Sequence, residues 1–279
     1  MSTTMSALSL TLKIALQQRL DCTPLTPCKL ANLTQAEIAS IPLYYGKTKL
    51  RVDEVFDVAL KADSNPTISH ITFNNCNEKM DGIGSNMAAG EITINGNAGH
   101  QLGFKMSAGK ITVNGNVGDF AASGMSQGLI SINGHVGDFL GAAIIGERKG
   151  MRGGTVLVTG NAGDRVGDQM RRGLILIEGN VGDYCASRMI AGTIGVLGNL
   201  GQYTGYSMRR GTLLLTKQPT FHPTIQDCGT HTLPFLSLLF KSFQAFNSPF
   251  NQIKSQRVQR FVGDLSANGN GEILVIKSS

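Results

Sequence analysis

The segment "MAAGEITINGNAGHQLGFKMSAGKITVNGNVGDF" (residues 87–120) contains two copies of one pattern, aligned on Met87 and Met106. Seven methionines share the pattern, each followed three residues later by glycine: Met87, Met106, Met125, Met151, Met170, Met189 and Met208. Successive copies are 19 residues apart, except for one interval of 26 that contains a seven-residue insertion, approximately "IIGERKG". Self-similarity at a fixed period of this length is the sequence signature of a solenoid.

Two aliphatic residues occupy the fifth and seventh positions after each methionine, such as Ile92 and Ile94 in the first copy. This alternation predicts a short strand with both side chains directed inward. A Gly-Asn pair and a further glycine follow, which predicts a corner at which glycine and asparagine adopt positive φ. One unit cannot bury its aliphatic pair alone, whereas units stacked ~4.8 Å apart and hydrogen-bonded in parallel can.

The repeat therefore predicts an all-β fold, a right-handed parallel β-helix (solenoid) of about seven 19-residue coils with mixed α/β capping arms at both ends. Residues 1–80 are expected to form an N-terminal cap or docking arm, 81–217 the repeat domain, and 218–279 a C-terminal helical arm and strand. The methionines should fill the interior, and the corner asparagines should stack and bond to one another.

The 279-residue chain has a formal net charge of +6, which permits an anionic partner without identifying one. Its five cysteines are scattered and odd in number, a pattern that fits reduced thiols in the cytoplasm better than a disulfide framework. The N-terminal residues lack the features of a signal peptide, and no apolar stretch is long enough to span a membrane. We therefore expect a cytoplasmic protein without membrane contact.

The sequence contains no recognisable nucleophile motif, so no catalytic residue is predicted. His222, Cys228 and His231 lie close together in the sequence but lack a fourth zinc ligand, and no metal site is predicted. An aspartate follows the last corner glycine in four successive units: Asp119, Asp138, Asp164 and Asp183. Such a column could hold a cation, but we favour the interpretation that it caps turns and faces solvent.

Basic residues concentrate in the insertion and beside the anchor methionines of the later units. They are Arg148, Lys149, Arg152, Arg171, Arg172, Arg188, Arg209 and Arg210. Stacking brings like charges such as Arg152 and Arg171 about 5 Å apart at the backbone, where they repel unless solvent or an anion intervenes. One interpretation is a solvated face. The other is binding of an acidic partner or polyanionic ligand through bidentate arginine pairing.

Nucleic acid is not predicted as a partner. The chain has no tryptophan and only five tyrosines, and no stacking aromatics are expected among its arginines. A positive charge without stacking aromatic side chains does not predict a surface that binds single-stranded nucleic acid.

The residue between the two inward aliphatics is expected to point outward. It is threonine or serine in the first three units and becomes leucine in three of the last four, with Gly195 as the exception: Leu157, Leu176 and Leu214. An exposed leucine column beside basic residues is typical of a protein interface. We therefore expect an apolar docking ladder on the later units.

The unit G-x-x-M-x-x-G-x-[IL]-x-[VI]-x-G-N-x-G resembles the β-helix shared by the C subunit of formylmethanofuran dehydrogenase and the C-terminal domain of the glutamate synthase large subunit. The resemblance covers about residues 80–217. The insertion "GERKGMRGG" resembles the one in the dehydrogenase C subunit, and a separate chain of this length with extra flanks at both ends also fits that subunit. The opening "LTLKIALQQRLDCTPLTP" resembles the version in methylotrophic bacteria, which is the C subunit of the formyltransferase/hydrolase complex.

The resemblance implies a non-catalytic structural subunit in tetrahydromethanopterin-linked one-carbon metabolism. Its complex would move formyl from formyl-tetrahydromethanopterin to a methanofuran-type carrier and release formate. The implied partners are an amidohydrolase-like A subunit with a dinuclear metal site, a formyltransferase subunit and the B subunit. Metals would reside in partner subunits, and this chain would bind no cofactor through its own residues.

The carrier of this family has a polyglutamate tail, so the basic residues are predicted to hold that tail or an acidic subunit. Two alternatives remain open. One is a glutamate synthase-type β-helix scaffold. The other is the C subunit of a tungsten or molybdenum formylmethanofuran dehydrogenase.

Overall fold

The computed structural model describes residues 6–61 and 68–277, and this part of the chain is mostly β-structure, which confirms the predicted all-β class. Its strands are β1 (Ser6–Leu12), β2 (Leu20–Asp21), β3 (Pro42–Tyr45), β4 (Thr48–Arg51), β5 (Phe56–Lys61), β6 (Ile68–Cys76), β7 (Met80–Asp81), β8 (Glu91–Gly96), β9 (Lys110–Asn114), β10 (Leu129–Ile132), β11 (Arg152–Val158), β12 (Arg172–Ile177), β13 (Thr193–Val196), β14 (Thr212–Leu215), β15 (Gln226–Thr232), β16 (Arg257–Val262) and β17 (Glu272–Ile276). Its helices are α1 (Pro27–Leu30), α2 (Gln35–Ser40), α3 (Val52–Val55) and α4 (Leu236–Phe243), with 3-10 helices η1 (Pro249–Gln252) and η2 (Leu265–Ala267). None of these described helices is long and apolar enough to cross a membrane.

A 13-stranded sheet forms the body of the protein, in the order β15-β16-β17-β14-β13-β12-β11-β10-β9-β8-β6-β1-β5. The repeat strands β8 to β14 lie in sequence order, and each pairs in parallel with the next. The register sets equivalent residues opposite one another, so that Ile111 pairs with Ile92 on one side and Ile130 on the other. β6 and β17 extend the parallel series beyond the repeat units at its two ends.

The interior of the repeat is built from the predicted positions. All seven anchor methionines are fully buried, and both inward aliphatic residues of every unit are at most 1% exposed. Each such side chain contributes roughly 1.5–3 kcal/mol through burial. The prediction that the methionines are core filling is confirmed.

The corner glycines are needed for a different reason from the one predicted. Gly115 is typical of the Gly-Asn glycines after the first unit, because its φ is not positive, and a Cβ there would lie 2.3 Å from the carbonyl oxygen of Gly96. Direct stacking of one corner on the next leaves no room for a side chain. Left-handed backbone occurs instead on both sides of the anchor methionine, as at Lys105 (φ 52°) and Gly109 (φ 96°). The prediction of positive φ at the Gly-Asn corners is therefore wrong beyond Gly96.

The corner asparagines bond to one another, as predicted, and each contact joins a backbone N–H to a side-chain oxygen. The N–H of Asn116 donates to Oδ1 of Asn97 at 2.9 Å, and the same contact recurs between Asn180 and Asn161 at 2.8 Å. A second asparagine ladder, which joins side chain to side chain, lies at the strand ends. Its amide contacts are 2.8–3.0 Å along one column: Asn74, Asn95, Asn114 and Asn133.

The aspartate column caps turns, as favoured from the sequence. Oδ1 of Asp119 accepts the backbone N–H of Asp138 at 2.9 Å, and Oδ1 of Asp164 accepts that of Asp183 at 2.7 Å. Each carboxylate therefore satisfies one donor of the following unit. Because an unpaired polar group would be costly at such a junction, these contacts fix the stacking of successive units.

The N-terminal strands close one end of the sheet. β1 lies between β6, with which it is parallel, and the edge strand β5, with which it is antiparallel. Helix α2 begins with a capping box formed by Thr34 and Glu37. Gln35 on this helix donates to the carbonyl of Val58 and accepts from the N–H of Leu60, so that its amide replaces a strand partner along the β5 edge.

Candidate functional site

Four of the eight predicted basic residues converge on one groove of about 900 Å³. Arg171 and Arg209 follow the anchor methionines of two units, Arg188 precedes the methionine of the unit between them, and Arg148 comes from the insertion. The remaining lining residues are Gln169, Ile190, Ser207, Ser266, Ala267 and Asn268. The groove therefore presents several guanidinium groups to one space, as binding of a polyanion requires.

The repeat also spaces the arginines apart. Arg171, Ile190 and Arg209 occupy the same position in three successive units, and their N–H groups donate to Met151, Met170 and Met189, respectively. Ile190 thus separates the two charges, whose backbones are ~10 Å apart at two strand spacings. This arrangement weakens the repulsion between Arg171 and Arg209. It does not separate Arg152 from Arg171, the pair named in the sequence analysis, because these two lie in adjacent units.

A buried carboxylate orients one of the groove arginines. Nε of Arg188 donates to Oδ1 of Asp168 at 2.8 Å, and Nη2 donates to Oδ2 of the same residue. The Oγ of Ser187 donates to Oδ1 as well, at 3.0 Å. The side chain of Asp168 is only 3% exposed, whereas that of Arg188 is 51% exposed. The hydrogen bonds to Asp168 raise the pKa of Arg188, and the guanidinium stands at the groove in a fixed orientation.

Arg171 has an unused donor. Its Nε is buried and has no hydrogen-bond partner among the described residues. A buried, unpaired donor costs about 1–3 kcal/mol, which an accepting oxygen in the groove would recover. This feature distinguishes Arg171 from an arginine that is merely solvated.

The far wall of the groove comes from the C-terminal segment, and Asp264 holds it in place. Its buried carboxylate accepts from the N–H of Ser207 at 2.7 Å and from the N–H and Oγ of Ser266 at 2.9 and 2.6 Å. Burial acts to raise the pKa of Asp264, but these hydrogen bonds outweigh it and lower the pKa below its ordinary value. The repeat and the C-terminal segment thus form one continuous site.

The other four predicted basic residues do not line this groove: Lys149, Arg152, Arg172 and Arg210. All four are exposed. A register shift in β11 pairs Arg152 with Arg172 rather than with Arg171, and Nη2 of Arg152 donates to the carbonyl of Gly124 at 3.4 Å. The predicted basic ladder is therefore divided between a groove and an open surface.

The predicted apolar docking ladder is wrong as an exposed surface. Leu176 and Leu214 are each 1% exposed, and Leu157 is half-buried. The chain's own C-terminal segment covers them with α4 and η1, through four residues: Leu236, Phe240, Phe243 and Phe250. The leucines are apolar because they form a second core inside the chain. The exception, Gly195, makes room for the Phe250 ring, since a Cβ there would lie 2.8 Å from its Cε1 atom.

An aromatic column, which the sequence analysis missed, follows the aspartate column. It occupies one position in five successive units: Phe120, Phe139, Arg165, Tyr184 and Tyr203. Phe120 and Phe139 stack with centroids 4.6 Å apart, and Tyr184 and Tyr203 stack at 4.8 Å. The guanidinium of Arg165 lies 4.5 Å from the centroid of Tyr184. The expectation of no stacking aromatics among the arginines is therefore wrong, and the repeat alignment contains the signal that would have shown it.

Metal-ligating side chains do not cluster in residues 6–61 and 68–277. Within these ranges no group of three or more His, Cys, Asp or Glu residues is placed to hold a metal ion. The histidines near Cys228 are engaged elsewhere, since a ring nitrogen of His222 contacts Thr224 Oγ1 at 2.9 Å and one of His231 contacts the carbonyl of Cys228 at 2.8 Å.

A family profile and two curated proteins match this chain. The GXGXG motif profile matches residues 56–229. The C subunit of the tungsten-containing formylmethanofuran dehydrogenase 2 of Methanococcus maripaludis is 35% identical over 99 residues, an alignment that covers 36% of this chain and 35% of that protein. The same subunit from a second strain of that organism is 36% identical over 95 residues. The chain thus spans about a third of the length of these curated relatives.

A solved structure matches over a far longer range. It is a chain of the formyltransferase/hydrolase complex (FhcABCD) from Methylorubrum extorquens, crystallised with methylofuran. The match has a TM-score of 0.90 and 36% sequence identity and covers 97% of this chain and 100% of that chain. The resemblance to the C subunit of formylmethanofuran dehydrogenase, predicted from the repeat, is confirmed by these relatives. The chain belongs to the GXGXG motif family, whose profile matches more than half of it.

Proposed function

We propose that this chain is the non-catalytic C subunit of a formyltransferase/hydrolase complex. The observation that carries the proposal is the match to a chain of the Methylorubrum extorquens complex over 97% of this chain and 100% of that one. The complex would transfer formyl from formyl-tetrahydromethanopterin to a methanofuran-type carrier and release formate. The reacting groups and metals would belong to the amidohydrolase-like A subunit, the formyltransferase subunit and the B subunit.

The architecture suits such a role if the repeat winds as a right-handed parallel β-helix, which we include in the proposal. Two observations support it. The repeat strands pair in parallel at equivalent positions, and a second line of parallel bridges runs through the corners: Ala98, Val117, Val136, Ala162, Val181 and Leu200. Residues 1–80 and 218–279 would then act as arms on a rigid repeat domain formed by residues 81–217.

The basic groove would hold the polyglutamate tail of the carrier or an acidic segment of a neighbouring subunit. Arginines match carboxylates through paired N–H donors, and Arg171 has a buried donor still to be satisfied. Several carboxylates along one flexible chain could be held by Arg148, Arg171 and Arg209 without any of the groups reacting. Of the carrier, the chain would hold only the tail, and no reacting group of a cofactor would be bound by its own residues.

The assembly would reside in the cytoplasm. All five cysteines are free thiols, and three of them are buried. Burial raises the pKa of Cys76 and Cys185 to about 12, so that they stay protonated and unreactive at neutral pH. Free thiols of this kind are typical of a reducing compartment.

Two other assemblies would use the same scaffold. The curated relatives favour the first of these, in which the chain is the C subunit of a tungsten- or molybdenum-containing formylmethanofuran dehydrogenase. A glutamate synthase-type scaffold is the second. The identity of the co-purified partners separates the three, because each complex contains a different set of catalytic subunits.

The test is native mass spectrometry of the complex isolated through a tag on this chain from its own source organism. We expect larger partner subunits that carry amidohydrolase and formyltransferase activity, and no turnover of formylmethanofuran by the isolated chain. Recovery of flavin and iron–sulfur subunits, or turnover by the single chain, would contradict the proposal.

A further inference from the structure

An apolar side chain stands between two charges on the repeat side of the basic groove. Arg171, Ile190 and Arg209 follow the anchor methionines of three successive units, and all three line the groove. Each of their N–H groups donates to the methionine carbonyl of the preceding unit at 2.8 Å, so the three side chains leave the stack at equivalent points. The groove therefore presents an apolar group with an arginine on either side, about 5 Å from each at the backbone.

Neither core packing nor charge spacing requires an isoleucine at this position. Ile190 is half-buried, but among the described residues it belongs to neither of the two hydrophobic clusters of the chain. Earlier units place serine at the same position, and the hydroxyls of Ser107 and Ser126 donate to methionine carbonyls at 3.4 Å. Serine would therefore separate the two arginines equally well. An apolar side chain that borders a groove without packing into a core is available to an apolar group of a ligand.

The charged groups of the groove favour carboxylates. Arg188, from the same unit as Ile190, is held in a fixed orientation by the buried carboxylate of Asp168. Nε of Arg171 is buried and has no hydrogen-bond partner within the described part of the chain. Carboxylates match such groups through paired N–H donors. A row of carboxylates alone would leave Ile190 against charged groups and water, so its burial would contribute nothing to binding.

We propose that the groove binds a segment of a neighbouring protein subunit in which an apolar side chain lies between acidic residues, rather than the purely acidic tail of a carrier. The acidic residues pair with Arg171 and Arg209, ~10 Å apart at the backbone, and the apolar side chain covers Ile190. An apolar centre inside a polar rim is the usual arrangement of protein interfaces. The inference rests on the proposed function, in which this groove holds an acidic chain, and it decides between the two occupants named there.

Three short peptides of equal length separate the contribution of charge from that of apolar contact. Two of them consist of glutamate except at the centre, which is leucine in one and serine in the other. The third has leucine at the centre and glutamine in place of every glutamate. Each is titrated into the isolated full-length chain in a calorimeter. We expect the leucine–glutamate peptide to bind about fivefold more tightly than the serine–glutamate peptide, and the glutamine peptide to show no measurable binding.

Variants of the groove assign the two contributions to residues. Ile190→Ser should lower the affinity for the leucine–glutamate peptide to that for the serine–glutamate peptide, whose own affinity should not change. Arg171→Gln/Arg209→Gln should weaken both by about tenfold. The matched control is Leu238→Ser, which removes an apolar side chain that is 72% exposed on α4 and does not line the groove. It should change neither affinity.

Equal affinity of the parent chain for the two glutamate peptides would overturn the inference and leave the groove as a site for a purely acidic chain. A preference for leucine that survives Ile190→Ser, or that Leu238→Ser removes equally, would overturn it too. Failure of both glutamate peptides to bind would contradict the proposed role of the groove as well. Circular dichroism establishes that each variant is folded, and Ile190→Thr, which keeps the branched shape, repeats the test if Ile190→Ser is not.

Discussion

The carboxylate of Asp168, buried beneath the groove, holds the guanidinium of Arg188 through both of its oxygens. The pair links two successive repeat units, and Ser187 adds a third hydrogen bond to the carboxylate. Arg188 is half-exposed, so it can bind a ligand in the groove while it also neutralises the buried carboxylate of Asp168. The pair therefore has consequences for stability that a purely solvated arginine would not have.

Arg188→Gln is expected to lower the free energy of unfolding by about 1–3 kcal/mol, because Asp168 would remain buried without its charged partner. Urea denaturation measures the loss. Arg210→Gln removes an exposed arginine outside the groove and should stay within about 0.5 kcal/mol of the parent chain. Adding Asp168→Asn to Arg188→Gln should recover part of the loss. Equal destabilisation by Arg188→Gln and Arg210→Gln would show that the pair is not structural.

The depressed pKa of Asp264 predicts that the stability of the fold depends on pH. Because its pKa is depressed in the folded chain, it stabilises the fold above its unfolded-state value of about 3.9, and this contribution is lost as the pH falls through the folded-state pKa. Asp264→Asn should therefore be less stable than the parent chain at pH 5–7, and the difference should shrink below about pH 4. Unfolding measured across this range tests it, with the exposed Glu78→Gln as control. A gap that is constant or grows in acid would contradict the assignment.

The groove predicts that the affinity for a polyanion depends more on where an arginine lies than on the net charge of the chain. The double variant Arg171→Gln/Arg209→Gln removes two groove arginines, and Arg172→Gln/Arg210→Gln removes two exposed arginines that lie next to them in sequence. With poly-L-glutamate as the probe in calorimetry at low salt, the first should bind about tenfold more weakly than the parent chain and the second should change little. Equal losses in the two variants would mean that the groove is not the binding site.

Gly195 predicts a steric coupling inside the second core. A Cβ at this position would lie 2.8 Å from both Phe250 Cε1 and Leu176 Cδ2, so Gly195→Ala should destabilise the chain by about 1–3 kcal/mol through overpacking. Phe250→Leu removes the ring edge and should reduce that cost when the two changes are combined. A double-mutant cycle in denaturant measures the coupling. Additive effects would show that the two residues do not meet.

The strands and the core follow from the repeat because each unit uses the same positions for the same task. Met106 predicts Met125, and Ile111 predicts Ile130, so one alignment places all of them. Leu176 and Leu214 were placed on the correct face, but a repeat cannot tell which segment covers that face. The covering segment, with Phe240 and Phe250, lies outside the repeat and meets the leucines only in the folded chain.

In the candidate site, too, the repeat predicts some of the residues, and others meet only in the folded chain. Arg171 and Arg209 share a repeat position, so their alignment was predictable. Arg188 lies on the other side of its methionine and reaches the groove because its backbone is left-handed (φ 52°) and Asp168 orients its side chain. The far wall, with Ser266, comes from a 3-10 turn that no pattern in the repeat predicts.

The corner contacts give the stack a direction. A corner N–H of each later unit donates to a side chain of the unit before it, ending with the N–H groups of Asn199 and Gln202. The acceptor is an oxygen at most corners and Nδ1 at His100 and His135. The junctions that join Asn161, Asn180 and Asn199 are alike, so duplicating or deleting one of these 19-residue units would change the length of the parallel series by ~4.8 Å and preserve the corner contact. The number of repeats thus sets the distance between the N-terminal strands β1 and β5 at one edge of the sheet and the C-terminal strands β15 to β17 at the other.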